Sequence, residues 1–193
     1  NHEWAKELGL VSFAGYRLAS HNGETIGVLA LFNKQTLSPN DEALLQTIAG
    51  TASEVILVSK SIEALRESED YNRTLFKESP IGLALCRMDG SLVDINPAFA
   101  NIIGRSVEET KRLTFWEISP EVYSEQEAAE LEELRDNKQY GPCEKEYIHK
   151  EGHLVPVRLS GHILNRNGED FIWSSVEDIS DKKRSEERLI KSE

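Results

Sequence analysis

The chain has 193 residues, enough for one large domain or two small ones, with 39% hydrophobic and 29% charged residues. A net charge of −12 argues against nucleic acid, which is bound through clustered Lys and Arg, and its plain meaning is solubility. No apolar run approaches the roughly 18 residues that span a bilayer, so no membrane contact is expected of this stretch.

The chain opens at Asn1 with no initiator Met and no signal peptide, and is expected to be part of a longer protein. Over residues 1–58, Tyr16-Arg17-Leu18 precedes the turn signal His21-Asn22-Gly23, and Thr25 to Phe32 reads as a buried strand. Ser38-Pro39-Asn40-Asp41-Glu42 starts a helix: a Ser N-cap, Pro at the first helical position and acids in the first turn. Residues 41–78 then form one long helix or two stacked ones, on the order of 55 Å if continuous. Leu44, Ile48, Thr51, Val55, Val58, Ile62 and Leu65 alternate by four and three residues, the seam of helices that pair. Two readings stand: the seam packs on its own preceding segment, or it pairs with a second copy as a homodimer. The seam outlasts the preceding segment, which favours pairing.

Residues 79–180 form the next unit, begun by the helix breaker Ser79-Pro80. Leu83 to Cys86 and Leu92 to Ile95 are strands about a Met88-Asp89-Gly90-Ser91 turn. Asn96-Pro97 caps a helix that Gly104 ends, and Ser106 with Glu109 is a capping box. A charged helix from about Glu121 to Arg135 follows, its acids read as a solvated face, and then strands over Glu144–His149, Leu154–Leu164 and Asp170–Ile179. Two strands, several helices and three strands predict an α+β domain with one antiparallel sheet and helices on one face. From Asp181 to the end, a charged helix leaves the last strand without a loop and is expected to begin a linker to an output domain.

Two resemblances follow. Phe13-Ala14-Gly15-Tyr16, Gly23 to Leu29 and Leu37-Ser38-Pro39-Asn40-Asp41 resemble the closing third of a GAF domain. This implies a partial α/β segment without a complete pocket. Ser79-Pro80-Ile81-Gly82, Asp89-Gly90, Asn96-Pro97-Ala98-Phe99, Glu151-Gly152, Asn167-Gly168 and Glu177-Asp178-Ile179-Ser180 together, in this order, resemble a PAS domain. That implies a five-stranded antiparallel sheet enclosing a pocket with its helices, dimerisation, and coupling to an output such as a histidine kinase or diguanylate cyclase.

No cofactor is evident. Aligned with flavin-binding LOV photoreceptors, the chain has Phe115 at the adduct-forming cysteine, and Tyr147, Val157 and Val176 where those proteins carry flavin-binding amides. Valine cannot replace an amide's hydrogen bonds. A haem lacks an axial His on the 121–135 helix. A zinc site from Cys143, His149 and His153 is not expected, because strand alternation keeps them from converging. Cys86 and Cys143, without Cys-x-x-Cys spacing, fit free structural thiols in a reducing cytoplasm, the expected location. The alignment points Tyr147, Val157, Leu159, Ile172, Ser174 and Val176 inward, with Phe99, Ile103, Phe115 and Trp116 from the helical side. These groups either fill a core or surround a small organic ligand or a non-LOV flavin, with Trp116 and Tyr147 as polar handles.

On the outer face, Trp173 beside Arg158, Ser160, His162 and Ser175 requires a cover, expected from the helix near Tyr71 to Lys77. The resemblance assigns Asp178 and Ser180 to signal coupling at the last strand's exit, and Trp173 on the outer face is a further coupling candidate. No phosphate loop, nucleophile motif or metal cluster marks an enzyme. The expected function is a sensory and dimerisation module, first of all of a histidine kinase. The alternative is a small-molecule or flavin-binding module of a diguanylate cyclase or other regulator.

Overall fold

In a computed structural model, which describes residues 3–190, the chain divides into two units, residues 1–70 and 71–193. In the first unit, a short helix α1 (Glu3–Glu7) precedes an antiparallel hairpin of β1 (Ser12–Ala19) and β2 (Thr25–Asn33). Helix α2 (Pro39–Glu78) is one continuous element of 40 residues, which resolves the choice between one helix and two. Its start is fixed reciprocally: Ser38 Oγ accepts from the Asp41 N–H at 3.2 Å, and Asp41 Oδ2 accepts from the Ser38 N–H at 2.8 Å. Against the hairpin, Tyr16 donates its hydroxyl to the Glu42 carbonyl at 3.4 Å, and Ala49 and Ser53 are the buried residues of the helix. The heptad positions Leu44, Ile48, Val55, Val58, Ile62 and Leu65 are all exposed, so they lie off the face that packs within the unit.

The second unit is built on a five-stranded antiparallel sheet in the order β4-β3-β7-β6-β5. Its strands are β3 (Gly82–Arg87), β4 (Leu92–Ile95), β5 (Gln139–Ile148), β6 (Leu154–Arg166) and β7 (Glu169–Asp178). Helices α3 (Pro97–Ile102), α4 (Val107–Thr110) and α5 (Ser124–Asn137) come between β4 and β5, and α6 (Ser180–Ile190) leaves β7. Local chemistry sets the breaks. Asn96 caps α3 with Pro97 at its first turn, and the Ser106–Glu109 capping box is formed in both directions. The core gathers alternate residues of the strands with α3 and α5: Ala84, Phe99, Ile103, Leu134, Tyr147, Val157, Leu159 and Val176 are all buried within it.

Candidate functional site

A cavity of about 40 Å³ lies between α5 and the inner face of this sheet. Of the ten residues predicted to line a pocket, Phe99, Phe115, Tyr147, Leu159, Ile172 and Ser174 border it. Ile103, Val157 and Val176 are fully buried in the core around it instead. Trp116 is placed outside: it is 38% exposed, packs against Phe115 with the two rings tilted at 41°, and donates its indole N–H to the Asp89 carbonyl at 3.3 Å. Gly90 lets the indole lie where a larger residue's Cβ would sit.

The predicted apolar lining is incomplete, because the cavity also holds an ion pair. Lys145 Nζ lies 2.5 Å from Glu127 Oε1, with the two side chains only 3% and 4% exposed. The ammonium also sits over the Tyr147 ring at 5.4 Å. Beside it, the Tyr140 hydroxyl and Ser174 Oγ are 3.2 Å apart, a contact made possible because Gly161 leaves room for the Tyr140 ring. Glu130 Oε1 accepts from Cys143 Sγ at 2.9 Å and from Gln126 Nε2 at 2.8 Å. The acids of α5 are therefore not all on a solvated face: Glu127 is buried and Glu130 half-buried. Two sequence signals mark this. Cys143, Lys145 and Tyr147 share one strand face, and Glu127, Leu131 and Leu134 recur at helical spacing. Placing Tyr147 inside places Lys145 inside with it.

Burial pushes the Cys86 thiol up to about 12. Burial, reinforced by the bond to Glu130, takes Cys143 up to about 12 as well. Both thiols are free, and neither is poised as a nucleophile at neutral pH. Burial likewise raises the phenols of Tyr140 and Tyr147, which remain hydroxyl donors.

At the β5–β6 turn, the structure brings His149 and His153 together with Glu151 rather than with Cys143. Their rings stack at 4.2 Å, and Glu151 Oε2 is 3.9 Å from each Nδ1. Two imidazoles and a carboxylate are a donor set for a divalent cation, but His149 Nδ1 already accepts the Glu151 N–H at 3.2 Å.

Two junctions connect the core of this unit to helices. At the entry, the fully buried Asn96 is the hub. Its Oδ1 accepts from the Leu83 N–H at 2.8 Å and the Phe99 N–H at 3.0 Å. Its Nδ2 donates to the Ile81 carbonyl at 2.8 Å and to the Phe76 carbonyl, in the last turns of α2, at 3.1 Å. Phe76 also packs against Trp173 with ring centroids 5.9 Å apart, supplying the cover expected for that outer-face Trp. At the exit, Asp178 Oδ1 accepts the Ser180 N–H at 2.8 Å and fixes the start of α6. The backbone N–H of Ile179 is held by the Pro156 carbonyl at 3.0 Å. Lys183 of α6 reaches Glu144 at 3.3 Å, which also pairs with Arg158 at 2.9 Å.

The PAS domain family matches residues 80–181, more than half of the chain. The chain belongs to the PAS domain family. The GAF domain family matches residues 1–56, ahead of the PAS domain. The chain is 30% identical over 189 residues to the methyl sulfide methyltransferase-associated sensor of Methanosarcina acetivorans, covering 95% of this chain and 19% of that protein. It is 31% identical over 130 residues to the hybrid signal transduction protein dokA of Dictyostelium discoideum, covering 66% of this chain and 8% of that protein. The chain thus spans less than a fifth of the length of either relative. Among solved structures, the PAS domain of a Colwellia psychrerythraea protein aligns with a TM-score of 0.54 at 14% identity, covering 58% of this chain and 97% of that one. Among the described residues, no helix is long and apolar enough to cross a membrane.

Proposed function

We propose that this PAS domain is the relay of a multidomain sensor, receiving one helix and driving another, with its cavity as the sensory pocket. The observation that carries this reading is the pair of junctions. Asn96 bonds the end of α2 to the first strand and to α3 of the core, and Asp178 sets the start of α6 as β7 ends. A change at the inner face of β7, where Ile172 and Ser174 border the cavity, moves the strand that continues into α6. Strand and helix meet with one residue between them, so a shift of the strand is not absorbed by a loop.

The sensor acts as a homodimer paired through α2, because the exposed heptad positions have apolar side chains that nothing in their own unit covers. The output is a histidine kinase in this reading, and the PAS chain itself is not an enzyme. The test uses the parent protein with Asp178→Ala. Purified parent incubated with ATP is expected to form an acid-labile phosphohistidine, and the variant to lose signal dependence while folding as the wild type does. Cyclic dinucleotide formed from GTP, without phosphohistidine, would reject the kinase reading. Unchanged signal dependence in the variant would reject the relay role of Asp178.

A further inference from the structure

We infer that the PAS cavity is a binding site for a very small, uncharged, hydrogen-bonding molecule, of the size and polarity of a short amide or diol. This rests on the proposed reading of the cavity as the sensory pocket. Three observations converge on the ligand class.

The first is an unanswered donor. Tyr147 is 3% exposed as a residue, yet its hydroxyl is not among the buried polar atoms left without a partner among the described residues, so the oxygen is not fully enclosed by protein. The ring borders the cavity, and the groups that bear on its phenol, Tyr140, Cys86, Glu127 and Glu130, border the same space. A hydroxyl that is not sealed against protein keeps its donor and acceptor capacity for whatever shares its space.

The second is charge. Lys145 and Glu127 neutralise each other at 2.5 Å inside the site, and Glu130, the third charged group on the cavity wall, is half-exposed with its Oε1 already accepting from Cys143 and Gln126. A ligand bearing a full charge would leave one uncompensated charge beside a pair that is already balanced, and an unpaired buried charge is costly. A neutral amide or hydroxyl avoids this. Its carbonyl or hydroxyl oxygen accepts from Tyr147 or from a free Lys145 proton, and its N–H or O–H donates to a carboxylate oxygen of Glu127.

The third is size. The cavity of about 40 Å³ is several times the roughly 10–15 Å³ that admits one water, and well short of the roughly 150 Å³ that admits benzene. That leaves about two to four heavy atoms. The apolar wall of Phe99, Leu159 and Ile172 accommodates a methyl or methylene group on such a molecule.

The test compares isosteres on the whole chain. Acetamide, 1,2-ethanediol, acetate and ethylammonium are titrated at millimolar concentration while the side-chain NMR signals of Tyr140, Tyr147 and Ile172 are followed. A ligand of about four heavy atoms is expected to bind no tighter than tens of micromolar. Acetamide is expected to shift those signals saturably, with acetate and ethylammonium at least about tenfold weaker. Tyr147→Phe, which keeps the ring, is expected to weaken acetamide about five- to tenfold. Equal or tighter binding of either charged isostere, or no saturable shift with acetamide or 1,2-ethanediol, overturns the assignment. The isostere comparison needs only the wild-type chain, so it holds even where Tyr147→Phe disturbs folding. Acetamide binding that leaves the parent's output unchanged supports the ligand class and rejects the sensory reading. An absence of binding, with Asp178→Ala still uncoupling output, rejects the ligand class and leaves the relay standing.

Discussion

The Lys145–Glu127 pair offers the sharpest quantitative test of the structure. Both side chains are almost wholly buried and the charged atoms are 2.5 Å apart. Taking two such ions out of water costs several kcal/mol each, and their attraction offsets this only while both are present. Lys145→Met removes the compensating charge and leaves the Glu127 carboxylate against the core, at a cost of about 3–5 kcal/mol. Glu127→Leu strands the ammonium at a similar cost. The double variant replaces the pair by apolar groups of comparable volume, and is expected within about 1.5 kcal/mol of the wild type. The coupling between the two sites is then at least about 4.5 kcal/mol, far beyond the 0–1 kcal/mol of a solvated pair. Urea unfolding of the four proteins, followed by tryptophan fluorescence, completes the cycle. Single variants that each cost less than about 1 kcal/mol would refute the burial of this pair and return α5 to the solvated helix that its acids suggest.

Asn96→Asp keeps the cap of α3 and the acceptor for Leu83, but sets a carboxylate against the Ile81 and Phe76 carbonyls, to which Asn96 now donates. It is expected to cost about 3 kcal/mol and to speed amide exchange in the last turn of α2, and unchanged exchange there would show that Asn96 does not hold the helix. Glu109 is held down to about 2, chiefly by Lys150 and then by the Ser106 N–H. A depressed carboxylate stabilises the fold above its unfolded value near 4.5 and loses that contribution as pH falls towards 2, so Glu109→Gln is expected to flatten the stability profile between pH 4.5 and 2. Denaturation midpoints at pH 5 and pH 3 check this, and an identical pH slope in the two proteins argues against it. Ile48→Lys with Val55→Lys, on the exposed seam, is expected to weaken self-association at least about a hundredfold in sedimentation, while identical dimerisation would place the interface elsewhere.

Much of the second unit was readable along the chain, because its breaks are local chemistry. Asn96-Pro97, Ser106 with Glu109, and the turns at Gly90, Gly152 and Gly168 each act within a few residues. Tyr147, Leu159, Ile172 and Ser174, which the alignment and strand alternation point inward, are buried. Lys145 has the same phase, yet a lysine in strand phase with a tyrosine reads as a surface residue until a partner for its charge is found. That partner, Glu127, lies 18 residues away on a helix whose run of acids suggests solvent. Trp116 failed for the opposite reason: a large aromatic beside Phe115 reads as core, but Gly90 and the Asp89 carbonyl give its indole a seat on the surface.

The sequence by itself determined the elements of the second unit and their order, the heptad seam of α2, the phase of the last three sheet strands and the handover from β7 to α6. All of these depend on periodicity and on caps spanning two to seven residues. No signal marked α1 or β1, and β2, read as a buried strand, has no fully buried residue. Only the tertiary structure decided what the cavity holds and how the core grips α2. A buried ion pair and an asparagine bonded to several backbone groups are stable only where distant segments meet. No residue's neighbours in sequence reveal whether its charge will be answered, or whether the far end of its side chain meets water or a carbonyl.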